Sequence, residues 1–244
     1  MKIKPDIKYK NLPPFVISQL SFVDIDNVKW GSATFVLILY DLPLLLSFLA
    51  LMKIEFLWIM VPFAIILNLW CLRLLIKNPY STQIETIKFL GGYGAIGAIT
   101  FYTIFQVISY FSLNIYSIMY YIILNFAIII SSYVIIKYQI TKFKDIHLKL
   151  KYSDKNNKNS RYATVIAIVP ALGYIVGQFV GEAEILKYYY VLGVDFFLTL
   201  LCVYIATKFI HRYYFMKANM DYVVFQKPNK REKKELNKKG IVIK

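Results

Sequence analysis

Long apolar runs alternate with short lysine-rich segments along the whole chain. A helix needs roughly 20 residues to cross a hydrocarbon core about 30 Å thick. Six runs are of that order: residues 31–52, 55–76, 89–112, 114–136, 162–180 and 188–210. Within them apolar residues follow one another without the alternation and roughly ten-residue period of barrel strands. The pattern therefore predicts an all-α, polytopic integral membrane protein built as a six-transmembrane-helix bundle. Spans 1–2, 3–4 and 5–6 are separated only by residues 53–54, 113 and 181–187, turns short enough to make three antiparallel hairpins. The polar remainder divides into an N-terminal segment (1–30), a loop within the membrane domain (137–161) and a tail (211–244).

The polar segments carry weaker local signals. Residues 15–29 mix apolar and polar positions as an interfacial helix at the headgroup level would. Asn78-Pro79 ends the second span, because proline disfavours helical geometry in the residue before it. Thr82 and Glu85 then have the spacing of a capping box, which starts the third helix about two turns ahead of its apolar run. In residues 146–152 Ile146, Leu148, Leu150 and Tyr152 alternate with His147, Lys149 and Lys151, a strand period. With the apolar runs 222–225 and 241–243 they predict a few short β-strands beside a charged stretch, 227–239.

Charge orients the bundle. The chain is 58% hydrophobic with a mean hydropathy of +0.52, yet its net charge is +15. Of the 29 Lys and Arg residues, 27 fall in or beside residues 1–30, 77–88, 137–161 and 211–244, leaving Lys53 and Lys187 on the opposite side. The positive-inside rule then puts both ends of the chain in the cytoplasm, with the protein in the plasma membrane. The first span follows a polar lead, and Phe48 occupies the position where a cleavage site would need a small residue, so that span is read as uncleaved. Lys142, Lys144, Lys149, Lys151, Lys230, Arg231, Lys233 and Lys234 form a basic cytoplasmic surface suited to anionic lipid or to an acidic protein partner. Aromatic and basic residues are not interleaved there, so nucleic acid is not an expected partner.

Polar groups inside the spans are costly and mark function by default. Asp41 lies about 16 Å from the outer end of span 1 by helical rise, near the midplane, and Asp195 about 10 Å from the outer end of span 6. No basic residue shares that depth. Asn68 and Asn125, in spans 2 and 4, are near it, as is Thr199 in span 6. Together they form an intramembrane polar layer, with Asp41–Asn68 the most economical hydrogen bond across the first hairpin. Its two readings are helix-to-helix adhesion and an ion, proton or substrate path.

Small residues mark close helix contacts. Ala163, Ala167 and Ala171 repeat every fourth residue in span 5, as do Gly173, Gly177 and Gly181, with Pro170 between the series. Gly94 and Ala98 form a further pair in span 3. Spans 3 and 5 are thus expected at the bundle centre or in an oligomer interface. Cys71 and Cys202 lie within apolar runs and read as small packing residues. No Ser-His-Asp arrangement, phosphate loop or metal-ligand spacing occurs, so no enzyme, metal or cofactor is expected. The expected function is a non-enzymatic subunit or interaction partner of a membrane assembly, of secretion, conjugation or immunity type, working with a protein partner or as a homo-oligomer. A small transporter or channel subunit using Asp41 and Asp195 is the alternative.

Overall fold

Pro43 shapes the first long helix. It has no N–H to donate, and its ring crowds the carbonyl four residues back. One turn earlier the helix widens into π geometry over Leu37–Asp41, where the Leu42 N–H reaches the Leu37 carbonyl, an accommodation that spares the rest of the span. In the computed structural model, residues 2–3, 7, 9–21, 23–25, 27–51, 57–144, 184–229 and 233 are described. They form α1 (Pro14–Leu20), α2 (27–51), α3 (Leu57–Ile76), α4 (Gln83–Ser112), α5 (Ile118–Lys144) and α6 (Glu184–Ala218). Five of these, α2 to α6, are long and apolar enough to cross a membrane. The fifth predicted span, with Ala163, Ala167, Pro170, Ala171, Gly173, Gly177 and Gly181, lies outside the described residues, as do the predicted strands at 146–152 and 241–243.

The core forms where α4 meets α6, the most extensive contact between elements. Glycine makes that approach possible. A Cβ on Gly94 would stand 2.7 Å from the Cys202 carbonyl oxygen and 2.8 Å from the Ala206 Cα, and one on Gly97 would stand 2.8 Å from the Cys202 Sγ. Cys202 and Ala206 are themselves small residues four apart, so two small faces cross each other. α2 and α3 pack on the same helix. Tyr40 and Phe101, both fully buried, and Tyr93, almost fully so, meet edge to face around the centre, with centroid distances of 6.3 Å and 5.9 Å from Tyr40.

Several local expectations are corrected. α5 begins at Ile118 rather than Asn114 and continues to Lys144, so the first turns of the predicted loop are helix. The turn before it is Leu113–Ser117 in place of Leu113 alone. Asn114 takes a φ of 52° there, a left-handed conformation that asparagine tolerates. Helix α4 does start ahead of its apolar run, at Gln83, but Thr82 makes no side-chain cap. Its hydroxyl turns back to the Asn78 and Pro79 carbonyls at 3.3 and 3.4 Å. Glu85 is drawn instead to Arg73 at 3.0 Å and Lys77 at 3.9 Å, a charge-assisted contact that competes with capping. No strand occurs among the described residues: Met220–Tyr222 is a 3-10 turn and 223–229 is irregular.

The helix expected at 15–29 is also different. Ser21, extended, closes α1 after seven residues, too few to hold a helix alone. Its apolar face is turned toward the protein. Val16 and Leu20 are fully buried in a cluster with Ile3, Leu12, Ile87, Phe215 and Met216, and burying two such side chains contributes about 1.5–3 kcal/mol each. α6 is roughly 50 Å long at its helical rise, more than a hydrocarbon core about 30 Å thick, and its last turns carry α1.

Candidate functional site

The polar groups predicted as one layer fall into three separate hydrogen-bonded groups. At the α2–α3 contact Asn68 donates through Nδ2 to the Asp41 carboxylate at 3.1 Å and to the Ala64 carbonyl at 3.0 Å, the pairing that equal depth suggested. Across the α4–α5 hairpin Asn125 accepts from the Tyr102 hydroxyl and from Gln106 Nε2, both at 2.9 Å. It therefore serves its own hairpin and not Asp41. Thr199 turns to its own helix, donating to the Asp195 carbonyl at 2.8 Å.

Asp195 is the exceptional group. It is 1% exposed, and its Oδ2 has no hydrogen-bond partner among the described residues. The buried Ser47 side chain from α2 meets the carboxyl, although its hydroxyl also donates to the Pro43 carbonyl at 2.9 Å. Next to Asp41 in sequence, Tyr40 shares a 2.9 Å hydrogen bond with Thr100 of α4. Sequence reading passed over Ser47, Tyr40, Tyr102 and Gln106. A signal existed for two of them: Gln106 and Asn125 lie nearly the same number of residues from the turn between α4 and α5, and Ser47 lies at about the depth of Asp195.

A second candidate region is the end of the bundle where α3 and α6 finish and α4 begins. Here the chain is tied across long sequence distances. Gln83 donates to the Gln226 carbonyl at 3.0 Å and accepts from the Gln226 N–H at 3.1 Å. The Ile25 N–H reaches Gln226 Oε1 at 3.3 Å, and the Val224 N–H reaches the Leu20 carbonyl at 3.2 Å. Arg212 closes α1, donating to the Gln19 carbonyl at 3.2 Å and to the Ser21 carbonyl at 2.8 Å. The Ile3 N–H donates to Asn219 Oδ1 at 2.7 Å. The segment before α2, the start of α4 and the segment after α6 thus make one interlocked cap.

Beside this cap a groove of about 610 Å³ opens between α3, α4 and α6, with Ile66, Leu69 and Trp70 on one wall and Arg73, Lys88 and Tyr213 toward the charged end. Of the predicted basic surface, Lys142 and Lys233 are exposed and Lys144 ends α5. Lys149, Lys151, Lys230, Arg231 and Lys234 lie outside the described residues. Cys71 and Cys202 are free thiols, both buried, and Cys202 faces Gly97 as a packing residue. No group of three metal-ligating side chains occurs among the described residues. No protein-family model matches the chain, and no curated protein or solved structure shows significant similarity to it.

Proposed function

We propose that this chain is a six-span plasma-membrane subunit that holds a partner from the cytoplasmic side, without an enzymatic activity of its own. The observation that carries the reading is the interlocked cap. Tying the N-terminal segment, a helix start and the post-α6 segment into one face supports this reading, because a partner could dock on such a face without reordering it. The charge pattern supports a cytoplasmic placement, since 27 of 29 basic residues fall in or beside the sequence segments that the positive-inside rule assigns to the cytoplasm. Parity supports the sixth span. The segments before α2 and after α6 touch, which favours an even number of crossings, and the apolar run 162–180 of the sequence is the candidate for the additional one. Secretion, conjugation and immunity assemblies are the settings that use such non-enzymatic subunits, and anionic lipid would surround the basic end.

Cross-linking in cells followed by purification in mild detergent tests the reading. Deleting residues 230–244 removes basic tail without touching Gln226. Combined with neutralisation of Lys142 and Lys144, it is expected to abolish the cross-linked partner band while the amount of protein stays unchanged. Full retention of the band by the combined variant would overturn the proposal.

Asp195 favours a second reading, a small transporter or channel subunit. A carboxyl with one oxygen unpartnered among the described residues is more than adhesion needs. In that reading Asp195→Asn abolishes function at normal expression and with the partner band intact.

A further inference from the structure

We infer that the groove between α3, α4 and α6 is a binding site for one anionic phospholipid, its phosphate held by Arg73 and Lys88 and an acyl chain laid along Ile66 and Leu69. This rests on the proposal that the basic end lies at a headgroup layer. Three observations converge on it. The groove is amphipathic in the direction a lipid is: Ile66 and Leu69, half-exposed or more, lie one to two turns further into α3 than Arg73. Its charge is complementary to a phosphodiester. Arg73 and Lys77 pair with Glu85 and Lys88 lines the same groove, so that among the described lining residues and Lys77 three cations stand against one carboxylate and the region is net positive. The ion pair uses Arg73 Nε at 3.0 Å, yet 58% of the side chain remains exposed, so the guanidinium can be reached from the groove.

The third observation is the wall. Trp70 stands edge-on to Phe89, with centroids 5.5 Å apart. Its ring also takes the space a Cβ on Gly92 would need, at 2.9 Å. Gly92 therefore lets the indole fold back against α4 and keeps the groove open. Trp70 and Tyr213 flank the charged end as amphipathic rings do at a membrane interface. A bare anion would use Arg73 and Lys88 and leave the apolar wall uncovered. A lipid uses both.

Trp70 supplies the probe. With Trp30→Phe and Trp58→Phe it is the sole tryptophan. The purified chain is reconstituted in phosphatidylcholine vesicles containing the same mole fraction of brominated phosphatidylglycerol or brominated phosphatidylcholine. Trp70 emission is expected to be quenched preferentially by the anionic lipid. Lys88→Gln should lower the preference about fivefold, the factor one basic side chain near an anionic surface carries. Glu85→Gln should raise it, whereas a merely structural role for the Arg73–Glu85 pair predicts no gain. Equal quenching by both lipids overturns the proposal. So does quenching by neither, the result expected if a protein segment covers the groove. Loss of the preference on adding inorganic phosphate would assign the cations to a free anion instead. No partner is present in these vesicles, so the outcome is independent of the cross-linking result.

Discussion

At the scale of single residues, the fold is limited by how closely two helix backbones approach. Gly94 sets that limit, because a Cβ there meets main-chain atoms of Cys202 and Ala206 rather than a movable side-chain tip. Gly94→Ala must separate α4 from α6 and is expected to cost about 1–3 kcal/mol, as overpacking does. Gly193→Ala is the matched control, since nothing among the described residues lies within 4 Å of a Cβ at that position. Thermal unfolding in detergent, followed by helical circular dichroism, should show a lowered midpoint for the first and none for the second. Equal midpoints would mean that the α4–α6 crossing does not govern stability. The glycine half of this contact was legible in the sequence, because Gly94 stands out in an apolar run. Its partner was not: a cysteine four residues before an alanine does not read as a small-residue face until the opposing helix is placed.

Among elements, the division between legible and hidden follows sequence distance. Each span announces itself within its own residues, because hydropathy acts locally and the bilayer fixes the length. The Asp41–Asn68 pairing could be read too, since a short hairpin makes depth a usable coordinate. The cap had no such signal. Gln83 and Gln226 are separated by 143 positions, and neither looks unusual among its neighbours. The Thr82–Glu85 spacing misled because Arg73 and Lys77, one helix earlier, claim the carboxylate that a capping box requires. Gln83 now stands out as the bolt of the cap: its side-chain amide bonds both the main-chain carbonyl and the N–H of Gln226, whose own side chain accepts from the Ile25 N–H. Gln83→Ala, which takes their partner from both main-chain groups of Gln226, is expected to speed amide exchange in residues 14–20 and 220–226 together, while the interior of α4 keeps its protection. Acceleration confined to the neighbours of residues 83 and 226 would mean that α1 is held by its apolar contacts and by Arg212, independently of that bolt.

For the whole molecule, the decisive quantity is the number of crossings. Five helices among the described residues can span a membrane, and an odd total would leave the segments before α2 and after α6 on opposite faces. They are instead hydrogen-bonded to one another through Ile3–Asn219, Val224–Leu20 and Ile25–Gln226. No bilayer separates groups less than 3.5 Å apart. That contact is the ground for the proposed sixth crossing, and the placement of the basic residues is the ground for the proposed orientation. Cysteine labelling tests both statements separately. The native Cys71 and Cys202 are buried, so an impermeant maleimide should leave the wild-type chain unlabelled. Ser117→Cys, on the exposed turn between α4 and α5, is expected to label in intact cells. Lys10→Cys, Ser81→Cys and Lys227→Cys, all exposed at the cap end, should label only after permeabilisation. A reversed pattern would refute the orientation and leave the six crossings standing. Labelling of Lys10→Cys and Lys227→Cys from opposite faces would refute the crossings themselves, because the cap cannot then exist in the membrane.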